Sequence, residues 1–130
     1  QSRSSAASDV YKRQRILLVE DDTLIAMDIA MSLQDQGYTV SGPVRNEADA
    51  FDLLTRETPD IAILDVHLGR DTDSFGIAKE LRHRNIPLFF LTGYSEATID
   101  VPDTLVGTTR LGKPVATKHL LRTIEAELAD

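Results

Sequence analysis

Short, almost wholly apolar runs alternate along this chain with segments whose apolar residues recur every three or four positions. Continuous runs of this length are typical of strands buried on both faces of a parallel sheet, and the longer period is that of helices. Strands are predicted at 15–19, 38–42, 61–64, 87–91 and, from a weaker pattern, 105–111. Helices are predicted at 23–36, 46–57, 72–84, a shortened fourth segment within 95–105, and 117–128. This order predicts an α/β fold of the (βα)5 type, with a doubly wound five-stranded parallel sheet.

The first fourteen residues do not share this pattern. Residues 1–14 are rich in Ser and Arg and carry a net charge of +2, whereas the whole chain carries −7. The segment lacks the apolar centre of a secretory signal. We therefore expect a disordered tail, a tag or a translation artefact at 1–14, and one domain at 15–130.

The composition excludes several classes of function. The chain has 14 Lys and Arg against 21 Asp and Glu, so it lacks the basic surface that nucleic-acid phosphates require, and no direct nucleic-acid partner is expected. It has no cysteine, which excludes a disulfide scaffold and a thiolate metal site. No apolar run reaches the length of a membrane helix, so no membrane partner is expected either.

Polar residues whose side chains could bind a cation or react lie where the predicted strands end. They are Glu20, Asp21 and Asp22 after the first strand, Asp65 after the third, Thr92 after the fourth and Lys113 after the fifth. Each would be unremarkable alone, as a solvated loop residue or a helix cap, and Asp22 is predicted to cap the helix that follows it. The carboxyl ends of parallel strands share one edge of a sheet, however, so we expect these side chains to meet there.

Carboxylates brought together at such an edge repel one another. Two of them about 4 Å apart repel by roughly 4 kcal/mol at an effective dielectric constant of 20. A cluster of Glu20, Asp21 and Asp65 therefore has to bind a cation or take up a proton. Two carboxylates with water suit Mg²⁺, and the ammonium group of Lys113 is the alternative source of positive charge.

Four segments in order resemble a known family. They are Arg15-Ile-Leu-Leu-Val-Glu-Asp-Asp22, Ile63-Leu-Asp65, Leu91-Thr-Gly93 and Gly112-Lys-Pro114. Together they resemble the receiver domain of two-component response regulators, over about 15–130. The resemblance implies a flavodoxin-like fold, a cytoplasmic location and a phosphoryl donor that is a sensor histidine kinase or a histidine phosphotransfer protein. It leaves the downstream protein partner unknown and a weak homodimer open.

The resemblance also implies roles for individual residues. Asp65 would be the phosphoacceptor, and Mg²⁺ would be bound by Glu20, Asp21, Asp65 and the backbone carbonyl of His67. Thr92 would be the switch hydroxyl, and Lys113 would contact the phosphoryl group. A domain of this kind assists its own phosphorylation and dephosphorylation but is not a turnover enzyme.

The sequence departs from the common receiver pattern in several places. Gly69 stands where many receivers have proline, and Arg110 stands where many have an aromatic switch residue. The segment from Phe90 to Tyr94 instead resembles atypical receivers with a Phe-x-Thr-Gly sequence and a nearby tyrosine. In that group Tyr94 would be the switch aromatic, and the alternative is that it only packs over the shortened helix.

Two other functions compete with a phosphorylation switch. A receiver fold can act as a protein-binding module without phosphorylation, but such proteins commonly lack one of the site residues that this chain has. A phosphohydrolase of the haloacid-dehalogenase type would need a second aspartate two residues after the nucleophile, and His67 stands there. We also expect either a stand-alone receiver or a fragment of a longer regulator.

Overall fold

A computed structural model describes residues 14–69, 71–93 and 101–129, and all statements below refer to these ranges. The strands are β1 (Arg15–Val19), β2 (Thr39–Val44), β3 (Ile61–Asp65), β4 (Leu88–Thr92) and β5 (Arg110–Gly112). The helices are α1 (Thr23–Asp35), α2 (Glu47–Arg56), α3 (Phe75–His83) and α4 (Thr117–Ala129). These helices have 9 to 13 residues, and within the described ranges no helix is long and apolar enough to cross a bilayer.

The five strands form one parallel sheet in the order β2-β1-β3-β4-β5. The chain therefore moves outward in one direction from β1 to β2 and in the other direction from β3 to β5. The strand order reverses between β1 and β3, and ligands of doubly wound sheets bind in the crevice at such a reversal. The predicted fold class, a flavodoxin-like doubly wound sheet, is confirmed.

The sheet separates two apolar layers. Alternate residues of a strand point to opposite faces, so Leu17 and Val19 pack with α2 and α3, whereas Ile16 and Leu18 pack with α1 and α4. Every residue of β3 is buried, as are the first four residues of β4. Both central strands are thus covered on two faces, which explains why their sequences show no polar alternation.

Some predicted element bounds are wrong for local reasons. β2 runs on to Val44 through Pro43, which is tolerated because β2 is an edge strand and can lack one amide donor. α3 starts at Phe75 rather than at 72, because Asp73 Oδ1 accepts the Phe75 amide and residues 72 and 73 belong to the preceding loop.

Two assignments of apolar residues also differ from the sequence pattern. In the pattern, Ala50, Phe51 and Leu54 form the apolar face of α2, but the structure buries Leu53 with Ala50 and Leu54 and leaves Phe51 36% exposed. β5 is only three residues long, and Leu105, predicted to begin that strand, instead ends a 3-10 turn at Asp103–Leu105. The predicted shortened fourth helix falls within 95–105, and its first part, 95–100, lies outside the described residues; over 101–105 the structure has only this 3-10 turn.

Candidate functional site

Three side chains from three strand ends meet at the carboxyl edge of the sheet. Glu20 follows β1, Asp65 ends β3 and Lys113 follows β5. The ammonium group of Lys113 donates to Glu20 Oε1 at 3.2 Å and to Asp65 Oδ2 at 3.1 Å. The predicted convergence of these residues is therefore present in the structure, across 93 and 48 positions of sequence.

This cluster is withdrawn from water. Glu20 is fully buried, Asp65 is 2% exposed and the Lys113 side chain is 17% exposed. A buried carboxylate is costly unless it is paired, and one lysine here serves two of them. The cluster therefore retains an excess of negative charge when both carboxyl groups are ionised.

The protonation equilibria reflect that excess. Burial and the adjacent Glu20 carboxyl raise the pKa of Asp65 well above its ordinary value, although Lys113 acts in the opposite direction. Burial alone lowers the pKa of Lys113, but the two carboxylates outweigh it and the pKa of Lys113 is raised. Lys113 is consequently charged at neutral pH, and Asp65 tends to hold a proton when no further cation is present.

The same edge offers ligands for a metal ion. Carboxylate oxygens of Glu20, Asp21 and Asp65 all lie within 4.8 Å of one another. Asp65 Oδ1 is buried and accepts no hydrogen bond from the residues that the structure describes, because Lys113 reaches only the other oxygen of that carboxylate. A buried oxygen without a donor, next to two further carboxylates, fits a hard divalent cation such as Mg²⁺. The sequence leaves Mg²⁺ and the Lys113 ammonium open as sources of positive charge. Lys113 is in place, and Asp65 Oδ1 remains as a ligand atom for a metal ion.

The loop after β1 is held by its own acidic residues. Asp22 Oδ1 accepts the amides of Leu24 and Ile25 and so caps α1, as predicted. The Asp22 amide in turn donates to Glu20 Oε2 at 3.1 Å. Sequence reasoning missed this second role of Asp22, because the position of a backbone amide leaves no signal in residue type.

Thr92 lies beside the lysine. Thr92 is half-buried at the end of β4, and its carbonyl oxygen accepts the Lys113 amide at 2.7 Å. The ends of β4 and β5 are thereby fixed to each other at the same edge of the sheet. Thr92 and Lys113, the predicted switch hydroxyl and the predicted phosphoryl-binding lysine, therefore lie at the ends of adjacent strands, and Lys113 contacts Asp65.

The loop after Asp65 is folded back on itself. Leu68 and Ser74 donate their amides to Thr72 and Val66, and His67 faces Asp73 between these two bonds. These two bonds use the groups on either side of His67 and do not involve its carbonyl, while its side chain is exposed.

A glycine is required in this loop. Gly69 has φ of +104°, a conformation that proline cannot adopt because its ring fixes φ near about −65°. This explains the departure from the common receiver pattern at that position. Of the other two departures, Arg110 is exposed on β5, and Tyr94 lies outside the described residues.

Comparison with known proteins agrees with this geometry. Residues 16–125 match the family model described as the response regulator receiver domain. The chain belongs to the response regulator receiver domain family. Receiver domains generally bind Mg²⁺ at an acidic pocket and interact with histidine kinases or phosphotransfer proteins, and theirs is not an enzyme family in the usual sense.

The matches to individual relatives cover different shares of this receiver and of the relatives themselves. The transcriptional regulatory protein PdtaR of Mycobacterium tuberculosis is 33% identical over 90 residues, which are 68% of this chain and 43% of PdtaR. The solution structure of SdrG from Sphingomonas melonis Fr1 is 32% identical with a TM-score of 0.77, and the match covers 92% of this chain and 98% of SdrG. The receiver spans about half the length of the curated relatives it matches.

A further solved structure bears on the metal. It is the receiver domain of the sensor histidine kinase PA1611 from Pseudomonas aeruginosa PAO1, solved with a magnesium ion coordinated in its active-site cleft. It is 25% identical to this receiver with a TM-score of 0.77, and the match covers 91% of this chain and 99% of the other.

Proposed function

We propose that this receiver is a phosphorylation-dependent switch in a cytoplasmic two-component phosphorelay. Asp65 accepts a phosphoryl group, with Mg²⁺, from a sensor histidine kinase or a histidine phosphotransfer protein. The observation that supports this most strongly is the difference between the surroundings of the two Asp65 carboxylate oxygens. Lys113 holds Oδ2, while Oδ1 is buried at the same edge and receives no hydrogen bond from the described part of the chain.

The proposed reaction is a phosphoryl transfer from nitrogen to oxygen. An oxygen of the ionised Asp65 carboxylate forms a bond to phosphorus as the bond between phosphorus and the donor imidazole breaks. The electron pair of that bond stays on the imidazole nitrogen, and the product on this chain is an acyl phosphate. Such transfers depend more on positioning and charge neutralisation than on covalent assistance.

Lys113 supplies part of that neutralisation. Its ammonium already lies 3.1 Å from Asp65 Oδ2, so it is placed to contact a phosphoryl oxygen once the carboxylate is modified. Its second contact, to Glu20, fixes its direction and keeps it charged. Lys113 is thus pre-positioned before the donor arrives.

The residues that would hold Mg²⁺ are Glu20, Asp21, Asp65 and the His67 carbonyl. Mg²⁺ at this place would supply positive charge to the equatorial phosphoryl oxygens. Three carboxylates within reach of one point, one of them with an unpartnered oxygen, support this assignment. The magnesium ion in the cleft of the PA1611 receiver supports it independently.

Thr92 is the proposed reporter of the modification. A phosphoryl group on Asp65 adds about two negative charges and new acceptor oxygens to the edge. The Thr92 hydroxyl would donate to one of these oxygens and draw the end of β4 inward. Tyr94, two residues after Thr92 in the sequence, is the candidate switch aromatic. A local charge change would thereby alter a protein-binding surface.

The test is covalent labelling with acetyl phosphate and Mg²⁺, followed by intact mass measurement. Wild type is expected to gain one phosphoryl group, and Asp65→Asn none. Asp71→Asn, which removes an exposed acid from the same loop, is the matched control and should label like wild type. Unchanged labelling of Asp65→Asn contradicts the assignment, and unlabelled wild type favours the phosphorylation-independent binding module.

A further inference from the structure

The amino-terminal edge of the sheet, opposite the edge that carries Asp65, contains a groove of about 370 Å³. The groove lies between the last turn of α3, the start of β4 and the last turn of α4. It is lined by Arg82, Asn85, Ile86, Pro87, Leu88 and Glu127. Binding sites for small molecules commonly have volumes of about 300–1,000 Å³ and an apolar lining with a few polar groups. We call this cavity the amino-edge groove.

The amino-edge groove exists because β5 is shorter than β4. β4 starts at Leu88, whereas β5 starts only at Arg110, which pairs with Phe90. The Phe90 amide donates to the Thr109 carbonyl. Leu88 lies two residues earlier on the same side of β4, and in the described part of the chain no backbone group beside β5 bonds to its amide or its carbonyl.

The backbone of Leu88 is therefore a source of hydrogen bonds for a bound molecule. Leu88 is only 2% exposed, so its amide and carbonyl are largely withdrawn from water. Backbone groups in such positions are normally paired. The floor of the amino-edge groove thus offers one donor and one acceptor, next to the apolar side chains of Ile86 and Leu88.

Opposite charges lie on the two walls of the amino-edge groove. Arg82 comes from α3 and Glu127 from α4, and the two do not form an ion pair with each other. Arg82 Nη2 donates to Thr108 Oγ1 at 2.6 Å, and Glu127 Oε2 accepts the Thr109 hydroxyl at 3.4 Å. Both charged side chains are thereby held by the loop before β5. The other guanidinium nitrogens and Glu127 Oε1 have no partner among the described residues.

This arrangement matches a molecule with one charge of each sign. A carboxylate would accept hydrogen bonds from Arg82, since the planar guanidinium group matches the geometry of a carboxylate. An ammonium group would donate to Glu127, and a short aliphatic body between the two charges would cover Ile86 and Leu88. A molecule with only one charge would leave the charged group on the other wall without a partner.

We propose that the amino-edge groove binds a small aliphatic zwitterion, with its carboxylate at Arg82 and its ammonium group at Glu127. Because the groove and Asp65 lie at opposite edges of the sheet, this inference does not depend on the proposed phosphorylation.

The first test is an NMR titration of ¹⁵N-labelled protein with glycine, 4-aminobutyrate and 6-aminohexanoate. At least one of them should bind with a Kd below about 1 mM. Binding should shift the amide signals of Arg82 and Leu88 but not that of Asp65. Hexanoate and hexylamine carry one charge each and should bind at least about tenfold more weakly.

Four outcomes of this titration overturn the proposal. They are no binding by any zwitterion, equal binding of a singly charged compound, shifts centred on Asp65, and shifts of the groove signals that depend on protein concentration alone. The last outcome would mean that a second copy of this chain occupies the amino-edge groove.

The second test removes one charge at a time. Glu127→Gln and Arg82→Gln should each weaken the binding of the best zwitterion by about tenfold or more. Asp35→Asn and Arg122→Gln remove exposed charges outside the groove and should bind like wild type. Since Arg82 also holds Thr108, thermal unfolding checks that each variant is folded, and Glu127→Gln decides the test if Arg82→Gln is not. Unchanged affinity of folded Glu127→Gln overturns the proposal.

Discussion

At the scale of single residues, the site is a charge imbalance held in place by the fold. Glu20 and Asp65 are buried with the ammonium group of Lys113 between them, and within the described ranges Asp65 Oδ1 has no donor. This unbalanced buried charge destabilises the folded protein, and destabilising arrangements are common at functional sites. Removing the positive charge of Lys113 should therefore lower the free energy of unfolding, whereas removing the negative charge of Asp65 should raise it.

Loss of the lysine should destabilise the metal-free protein. Lys113→Ala removes the positive charge that Glu20 and Asp65 share, so at least one buried carboxylate is left uncompensated, and we expect the free energy of unfolding to fall by about 3 kcal/mol near neutral pH. Urea titrations in EDTA measure this, with the exposed Lys79→Ala as the matched control that should change it little. Equal stability of the two variants would show that Lys113 does not neutralise the cluster.

Loss of the phosphoacceptor charge should have the reverse effect. Because the pKa of Asp65 is raised in the folded state, the folded protein retains a proton that the unfolded chain releases as the pH rises above about 4. The free energy of unfolding of wild type therefore falls over this range, until the folded-state pKa is passed.

Asp65→Asn removes that dependence. We expect it to be more stable than wild type by about 1–2 kcal/mol near pH 8 in EDTA, with a smaller difference near pH 5. Urea titrations at the two pH values measure this. A variant that is less stable than wild type at pH 8 would contradict the raised pKa.

At the scale of elements, the capping of α1 links this helix to the loop that carries Glu20 and Asp21. Asp22 satisfies two amides of α1 through its side chain, and its own amide holds Glu20. The positions of Glu20 and Asp21 thus depend on how α1 begins. This dependence was partly predictable, since an aspartate before an apolar helix is a capping signal, whereas the amide contact was not.

Asp22→Ala should loosen this end of α1. We expect a loss of about 1 kcal/mol in the free energy of unfolding and weaker Mg²⁺ binding, because the loop that carries Asp21 loses its anchor. Asp35→Ala removes an acid near the other end of the helix, where the helix dipole disfavours negative charge, and should leave stability unchanged or slightly raised. Calorimetry measures both properties, and equal losses in the two variants would argue against a specific cap.

At the scale of the whole molecule, the strands that are most completely buried are the ones whose bounds the sequence predicts best. β3 and β4 were predicted closely, since continuous apolar runs have few alternatives once both faces are covered. β5 was predicted poorly, because only its middle residue is buried and its pattern is too short to read. The residues of the site were predicted through their order at strand ends, but the unpartnered oxygen of Asp65 depends on three-dimensional packing that no local pattern encodes.

Chemical trapping of the modified side chain identifies the phosphoacceptor without reference to any other property of the site. Wild type is treated with acetyl phosphate with and without Mg²⁺ and reduced with borohydride, which converts an aspartyl phosphate to homoserine. Its peptides are then mapped by mass spectrometry. We expect homoserine at position 65, dependent on Mg²⁺ and absent from Asp65→Asn. Homoserine at another acidic position, or at 65 to the same extent without Mg²⁺, would contradict it.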